Sequence, residues 1–294
     1  MKFRFIADQA YDRAFPIEYM CRMLGVSRQG YYQWKKRTPS QHDRDDSALS
    51  SKIKSIFVDH EKRYGVRRIH AELLRSGVRV AYKRVARLMR TLGLVSVHPR
   101  PYKRTTVPAA APAALPDLLG RRFNSPAPNV AWYGDITYVK TWSGWAYIAS
   151  VIDGYSRKVV GWAVADHMRT ELVIDALKMA LARRRPPAGV IFHADRGSQY
   201  TSEQFVQFCR DNGVRNSVGR TGICYDNAAS ESFWATLKKE FIHLHPFDTV
   251  SRLRHGVFTY IEAYYNRLRI HSTLRYLTPV EYESQYTEQQ NNAA

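Results

Sequence analysis

Between residues 130 and 164, three runs rich in aromatic and β-branched side chains (130–139, 145–152 and 158–164) follow one another with only turns between them. Gly144 marks the first turn and residues 154–157 the second, so the runs read as an antiparallel meander of three strands. A helix over 170–184 follows, with Leu172, Val173, Ala176, Leu177, Ala180 and Leu181 on one stripe. A strand at 190–193, a helix at 202–212, a strand at 214–218 and a helix at 227–241 complete the pattern. The order βββαβαβα predicts an α/β domain with a mixed sheet rather than a doubly wound one. One more helix, 250–268, precedes a tail containing Pro279.

Ahead of that region the chain is helical and basic. Residues 16–37 read helix, turn, helix: Ile17, Met20, Cys21 and Leu24 repeat at helical spacing, and Gly25 breaks the pattern. Ser27 is placed to cap a helix over 28–36 that carries Tyr31, Tyr32 and Trp34. A second such unit follows a helix starting near Ser47. Its 67–75 segment carries Ile69, Leu73 and Leu74, Gly77 turns the chain, and 82–92 carries Val85, Leu88, Met89 and Leu92 before Gly93 ends it. Lys83, Arg84, Arg87 and Arg90 decorate this last helix as a groove-entering helix requires, and Arg67 and Arg68 open the helix before it.

The formal net charge is +19, and it is unevenly placed. Residues 1–125 hold 26 Lys and Arg against 10 Asp and Glu, a net of +16. A polyanion-gripping half joined to a near-neutral half is the simplest reading, and double-stranded DNA is the expected partner because the cations sit on helices interleaved with Tyr and Trp. One basic helical hairpin says little about DNA; two in tandem say more. No apolar run approaches membrane-spanning length, and residues 1–10 lack the apolar stretch and cleavage site of a secretory signal. A cytoplasmic, nucleoid-associated protein with no membrane partner is expected. Cys21, Cys209 and Cys224 form no CxxC pair, which argues against a disulfide framework and a structural zinc site.

From 95 to 129 periodicity disappears and Pro and Ala accumulate, as in an extended linker whose reach would let a DNA-binding unit sit away from the core. The expected organisation is a helix-turn-helix region over 1–46, a second over 47–95, the linker over 96–128, the α/β core over 129–245, and a C-terminal helix and tail over 246–294.

Three acids stand out. Asp135 lies inside an apolar strand, where a charge is costly unless paired or metal-bound. Asp195 ends the fourth strand, at the carboxyl edge where α/β sites form. Glu231 follows 36 positions later on a helix. Two-metal phosphoryl transfer needs acids from separate elements that converge on two cations about 3.5–4 Å apart. Singly, each acid has a bland reading: an edge residue, an Asx turn, a solvent-facing helix position. Jointly, element type, spacing and local sequence favour the metal site. Lys238 lies seven residues beyond Glu231, about 10.5 Å along the same helix face, a suitable offset for gripping a phosphate. His193, two residues before Asp195, is expected to hydrogen-bond beside the site rather than ligate. Asn227 either caps its helix or orients Glu231.

These residues sit in longer motifs: Trp132-x-x-Asp135-Ile136-Thr137-Tyr138; His193-x-Asp195-Arg196-Gly197-Ser198-Gln199-Tyr200-Thr201-Ser202; Tyr225-Asp226-Asn227-Ala228-x-x-Glu231-Ser232-Phe233-x-x-x-Leu237-Lys238; and Tyr265-Asn266-x-x-Arg269-x-His271-Ser272 followed by Thr278-Pro279. In them the chain resembles the OrfB-type DDE transposases of the insertion-sequence-three family, within the retroviral-integrase superfamily. The resemblance spans essentially the whole chain, and the 35 residues between Asp195 and Glu231 fit the family's interval. It implies an RNase H-like core and two Mg2+ ions per active site, with Mn2+ able to substitute, held by Asp135, Asp195 and Glu231. It implies strand cleavage at element ends and attack of the freed 3′ hydroxyl on another strand. The implied partners are terminal inverted repeats and target DNA, further copies of the chain in a homo-oligomer, and an OrfA-type protein as partner or fusion. Two other readings stay open on the residues alone. The acids permit an RNase H-like nuclease without joining activity, and the basic helices permit a non-enzymatic DNA-binding regulator.

Overall fold

The computed structural model describes residues 1–11, 15–36, 38–97, 116–120, 125–219 and 228–293. Helices α1 (Lys2–Tyr11), α2 (Ile17–Met23) and α3 (Arg28–Lys36) close around Ile6, Met20, Cys21 and Tyr31. Ser27 caps α3 through the Gly30 amide at 3.0 Å, as the sequence predicts; α1 has no counterpart in the sequence reading. Helix α4 (Gln41–Asp59) starts six residues before the expected Ser47. The cause is a capping box: the Asp43 amide donates to Ser40 Oγ at 3.2 Å, and the Ser40 amide donates to the Asp43 carboxylate at 3.1 Å. The polar run after Ser40 hides that start from an apolar-periodicity argument. Helices α5 (Val66–Arg75) and α6 (Tyr82–Thr91) complete the expected helix-turn-helix, with Gly77 and Gly93 at positive φ where the chain leaves each helix.

The meander forms as read. Strands β1 (Ala131–Thr141), β2 (Gly144–Asp153) and β3 (Val159–Ala165) are antiparallel neighbours, and Gly144 turns the first hairpin at φ 129°. After α7 (Thr170–Arg184), strand β4 (Ile191–Ala194) pairs parallel to β1. Then α8 (Ser198–Thr201) and α9 (Glu203–Asp211) return the chain to β5 (Arg215–Val218), parallel to β4. The order β3-β2-β1-β4-β5 is a mixed, RNase H-like sheet. One face packs Trp132, Val151, Val160 and Phe192 against Leu172, Ala176 and Leu177 of α7 and Phe205 of α9. Gly161 permits that contact, because a Cβ there would run into the Ala176 carbonyl oxygen.

The other face is covered by α10 (Ala228–Glu240), α11 (Val250–Phe258) and a wider π-helical turn, Thr259–Tyr265. The single helix expected over 250–268 thus changes its winding midway, which turns Tyr260, Ile261, Tyr264 and Tyr265 all inward. The expected Pro279 tail is helix α12 (Pro279–Ala293). Pro279 occupies its first turn, where a missing amide costs nothing, and Thr278 and Glu281 exchange capping bonds of 2.8 and 3.2 Å. Most of the expected linker (98–115 and 121–124) lies outside the described residues. Within it, the Leu118 amide donates to Ser217 Oγ at 3.0 Å.

The helical unit α4–α6 is docked on the C-terminal elements and not held away from the core, contrary to the expected reach of the linker. Leu49, Ile53, Ile69, Leu73 and Leu88 belong to the same apolar cluster as Phe233, Leu237 and Tyr260. The Tyr64 hydroxyl donates to the Leu268 carbonyl and accepts from the Ile270 amide, at 3.0 and 2.9 Å. Arg75 pairs with Glu281 at 2.6 Å. At the centre is the buried carboxylate of Glu240. It takes a bidentate pair from Arg269 (both 2.8 Å), a bond from the Tyr260 hydroxyl at 2.9 Å and one from Arg68 at 3.2 Å. Its backbone carbonyl accepts from Arg63 at 3.0 Å. Burial pushes the carboxyl's pKa up, but Arg269, Arg68 and Tyr260 together outweigh it and hold the pKa below the ordinary value.

Arg269→Ala leaves that carboxylate buried without its main partner, and is expected to cost about 3–5 kcal/mol in urea denaturation. Because the folded-state pKa is depressed, the network's contribution is complete above the ordinary glutamate value of 4.5 and lost on acidification below it. A midpoint in Arg269→Ala matching the parent at neutral pH would remove Glu240 from this central role.

Candidate active site

The strand register brings the first two acids together. Tyr133 of β1 stands opposite His193 of β4 in a parallel pair. Two residues further along both strands are Asp135 and Asp195, and matching positions on parallel neighbours project from the same face. Asp195 is the first residue beyond β4, at the carboxyl end of the sheet. Gly134 makes room behind them, since a Cβ there would overlap the Phe192 ring. Each acid also bonds locally: Asp135 accepts the Ile136 amide at 2.8 Å, and Asp195 accepts the Gly197 amide at 3.0 Å. The Asx turn is therefore present at Asp195 alongside its place next to Asp135.

Helix α10 supplies the third acid, the exposed Glu231, from its first turn, with Trp234 and Lys238 one and two turns further along. The electrostatics of Asp135 report how these groups converge. Its pKa is pushed up to about 7, first by burial, then by the Asp195 charge, with Glu231 adding to the rise. The Ile136 amide and the Trp234 indole pull it down by less. The indole N–H of Trp234 is buried without a hydrogen bond of good geometry, so it faces this carboxylate without closing on it. Tyr200, fully enclosed, has its pKa raised well above the usual tyrosine value by burial and then by Asp135 and Asp195. Lys238 has its pKa lowered by burial, with Asp135 opposing the shift, and its Nζ lies 5.4 Å above the Tyr138 ring. Three carboxylates thus share one electrostatic neighbourhood with one cation at its margin. Among the described residues, no three His, Cys, Asp or Glu side chains already form a cation cage.

The other sequence candidates separate clearly. His193 is buried beneath the site, its Nδ1 2.9 Å from Ser217 Oγ and its ring edge-on to Tyr133. It ties β4 to β5 under Asp195. Asn227 lies outside the described residues. Arg67, Lys83, Arg87 and Arg90 are exposed on the helical unit. Arg87 nonetheless bonds Asp46 at 2.6 Å, and Arg84 bonds the same carboxylate at 2.7 Å, so α4 braces this side of α6. Arg68 turns inward to Glu240 and over the Tyr64 ring. Sequence reasoning missed Trp234 and Tyr200. Trp234 was findable, being three residues after Glu231 and four before Lys238 on one helix face. Tyr200 reads as core until the turn after β4 folds it back beneath the acids.

Comparison with known proteins gives three matched segments: an HTH-like domain at residues 43–102 and integrase core domains at 125–224 and 231–286. The transposase InsF of insertion sequence IS3A from Escherichia coli K12 is 38% identical over 286 residues, covering 97% of this chain and 99% of its own. The transposase of insertion sequence element IS904 from Lactococcus lactis is 40% identical over 247 residues, 84% of this chain and 98% of its own. Among solved structures, the catalytic core of HTLV-2 integrase in complex with magnesium aligns with 54% of this chain and 98% of its own, at 18% identity and a TM-score of 0.41.

The raised Asp135 pKa makes the ionised acid a local cost to folding. Without divalent cation, Asp135→Asn is expected to stabilise the chain at pH 8 by about 2 kcal/mol, less than the full shift because the group is partly exposed. The sign follows from the folded pKa near 7, above the ordinary 3.8: the penalty exists only where Asp135 is ionised, so the gain shrinks as pH falls towards 4. Thermal unfolding of both proteins across that range checks it. A gain that does not vary with pH would remove the charge explanation.

Proposed function

The chain belongs to the IS3 family of insertion-sequence transposases, enzymes built on an integrase core, and from that premise we propose that it cuts insertion-sequence ends and transfers the freed 3′ hydroxyl to another strand, with Asp135, Asp195 and Glu231 as its catalytic carboxylates. The observation that carries this reading is the convergence of the acids: the β1–β4 register sets Asp135 beside Asp195, and the Asp135 pKa is raised by burial first and then by the charges of Asp195 and Glu231. Hard carboxylate oxygens from a strand, a strand end and a helix suit magnesium, or manganese in its place. When bound by these three acids, the two ions would activate the attacking oxygen and stabilise the leaving oxygen.

The chain's own residues do the rest. The β1 and β4 register holds two of the acids, and Phe192 and Tyr200 keep water from their buried side. Lys238, half-buried and within reach of the Asp135 charge, neutralises a phosphate entering the site. Lys83, Arg87 and Arg90 on α6, with Arg67 on α5, grip the duplex outside it. Arg84 contributes through its brace to Asp46, and Arg68 belongs to the Glu240 network. Joining two element ends needs more than one active site, so the working form is a homo-oligomer.

Asp135→Asn, Asp195→Asn and Glu231→Gln should each lose end cleavage and joining by at least about 10³-fold while remaining folded by circular dichroism. A variant that cuts labelled end DNA at near-parental rate is excluded as a ligand. Nicking without joining by the parent protein would favour a nuclease instead.

Replacing Lys83, Arg87 and Arg90 together with Ala should weaken binding to element-end DNA and make its logarithmic salt dependence shallower by about 3 units. Lys238→Ala should impair cleavage far more than Lys239→Ala. Equal effects of the two lysine variants would return Lys238 to the status of a surface charge.

A further inference from the structure

We propose that the groove between the β1–β2 hairpin and the segment following α10 holds an unpaired strand of DNA, its bases stacked on Trp142, Trp145 and Tyr138. Trp142 is 80% exposed, Tyr138 59% and Trp145 50%, all on one hairpin. Single exposed aromatics need no explanation, but three together mark a surface that something covers. The backbone of the hairpin tip that carries these rings is held in place in advance. Trp142 and Ser143 donate their amides to the Phe247 and Asp248 carbonyls, both at 3.0 Å, and Thr141 Oγ1 bonds the Gly144 carbonyl at 2.8 Å. Tyr138 and Trp145 meet edge to face at 5.4 Å. A floppy tip would lose backbone freedom on binding; the backbone of this one is already fixed.

The chemistry of the groove selects the occupant. Its volume is about 380 Å³, and Lys140, Lys238, His243 and His245 line it with no acidic residue among the lining side chains. Cations beside open aromatic faces suit a strand that presents phosphate and bare bases at once. A duplex keeps its base faces stacked inside and offers these rings nothing but its backbone. A protein partner would be expected to bring the acidic groups that Lys140 and Lys238 demand, whereas nucleic acid supplies them at every residue. Position adds the last step. Lys238 sits at the inner end of the groove, within the field of Asp135. An unpaired strand lying there extends directly from the acids, beside the phosphate that is cut. The inference rests on the strand-transfer reading for its place in the reaction, while the binding itself can be measured apart from catalysis.

The test uses the full chain without divalent cation, so that no cutting occurs, and two end duplexes. One is blunt, and the other carries a short single-stranded extension containing 2-aminopurine, whose fluorescence is quenched when it stacks. The extended duplex is expected to bind about tenfold more tightly than the blunt one, with quenching. Trp142→Ala/Trp145→Ala should abolish both the quench and the preference while leaving blunt-duplex affinity within about twofold. Lys140→Ala should weaken the extended duplex selectively. Absence of quenching in the parent, or a preference that survives the double variant, overturns the proposal. So does a double variant that loses self-association in sedimentation without any effect on the extension, because the surface would then be a protein interface. Joining assays with magnesium are read separately: lost joining with intact stacking counts against the catalytic reading and leaves this one standing.

Discussion

A carboxylate in the last turn of a helix opposes the helix dipole and, when buried, loses its hydration as well. Glu240 does both, and the structure is organised around compensating it. Arg269 comes from the chain after the π turn, Tyr260 from within that turn, and Arg68 from the helix-turn-helix unit. Arg63 binds the carbonyl of the same residue and lies over the Tyr264 ring. Two stretches far apart in sequence, 63–68 and 260–269, thus meet at one helix end. Glu231 and Glu240 are nine residues apart, two and a half turns, and therefore leave α10 in opposite directions. Fixing Glu240 on one side fixes the rotation of the helix, and so the direction in which Glu231 projects.

That connection joins the two halves of the molecule. Arg68 lies on α5, whose partner α6 presents Lys83, Arg87 and Arg90. In the proposed reaction, the spacing between the DNA that α6 grips and the phosphate at the acids is set by side-chain packing, the Tyr64 bonds to Leu268 and Ile270, and the Arg75–Glu281 pair. Composition suggested two tasks on two loosely joined bodies. The separation that the reach of the Pro-rich stretch would allow is not taken up, since α4–α6 share one apolar cluster with the C-terminal helices. A Pro-rich stretch says how far a chain can reach, while buried hydrogen bonds such as Tyr64 to Ile270 decide where its ends dock.

The sheet was legible because its signals are local. Turn residues at Gly144 and 154–157 leave the meander little freedom, and the stripe from Leu172 to Leu181 could only face it. The acids were legible because Asp135 is a charge in an apolar strand and the parallel register carries it to Asp195. Three elements were misread, each for a physical reason. The α4 start rests on a capping box between Ser40 and Asp43, two polar residues that carry no apolar period. The stretch containing Pro279 reads as a tail, whereas Pro279, directly after Thr278, is a first-turn residue of α12. The π turn at 259–265 has no signature apart from an excess of inward aromatics, which a regular helix of that length would have left partly outside. Trp142 was a different kind of miss. Its exposure depends on amides bonded to Phe247 and Asp248, about a hundred residues away, and no local pattern encodes that.

The active-site neighbourhood is left unresolved by the fold in a way that Glu240 is not. Glu240 belongs to α10 and Asp135 faces Trp234 of the same helix, and burial acts to raise the pKa of each. At Glu240 two guanidinium groups and a phenol reverse the shift. At Asp135 the neighbours are further acids, and the opposing groups are one amide and an indole N–H that does not complete a bond. Lys238, whose charge Asp135 favours, has itself given up part of its basicity to burial. A chain able to surround one carboxylate with arginines could have neutralised both. In the proposed reaction the charge at Asp135 favours whatever brings positive charge without a side chain, and three hard oxygen donors would suit a divalent cation there.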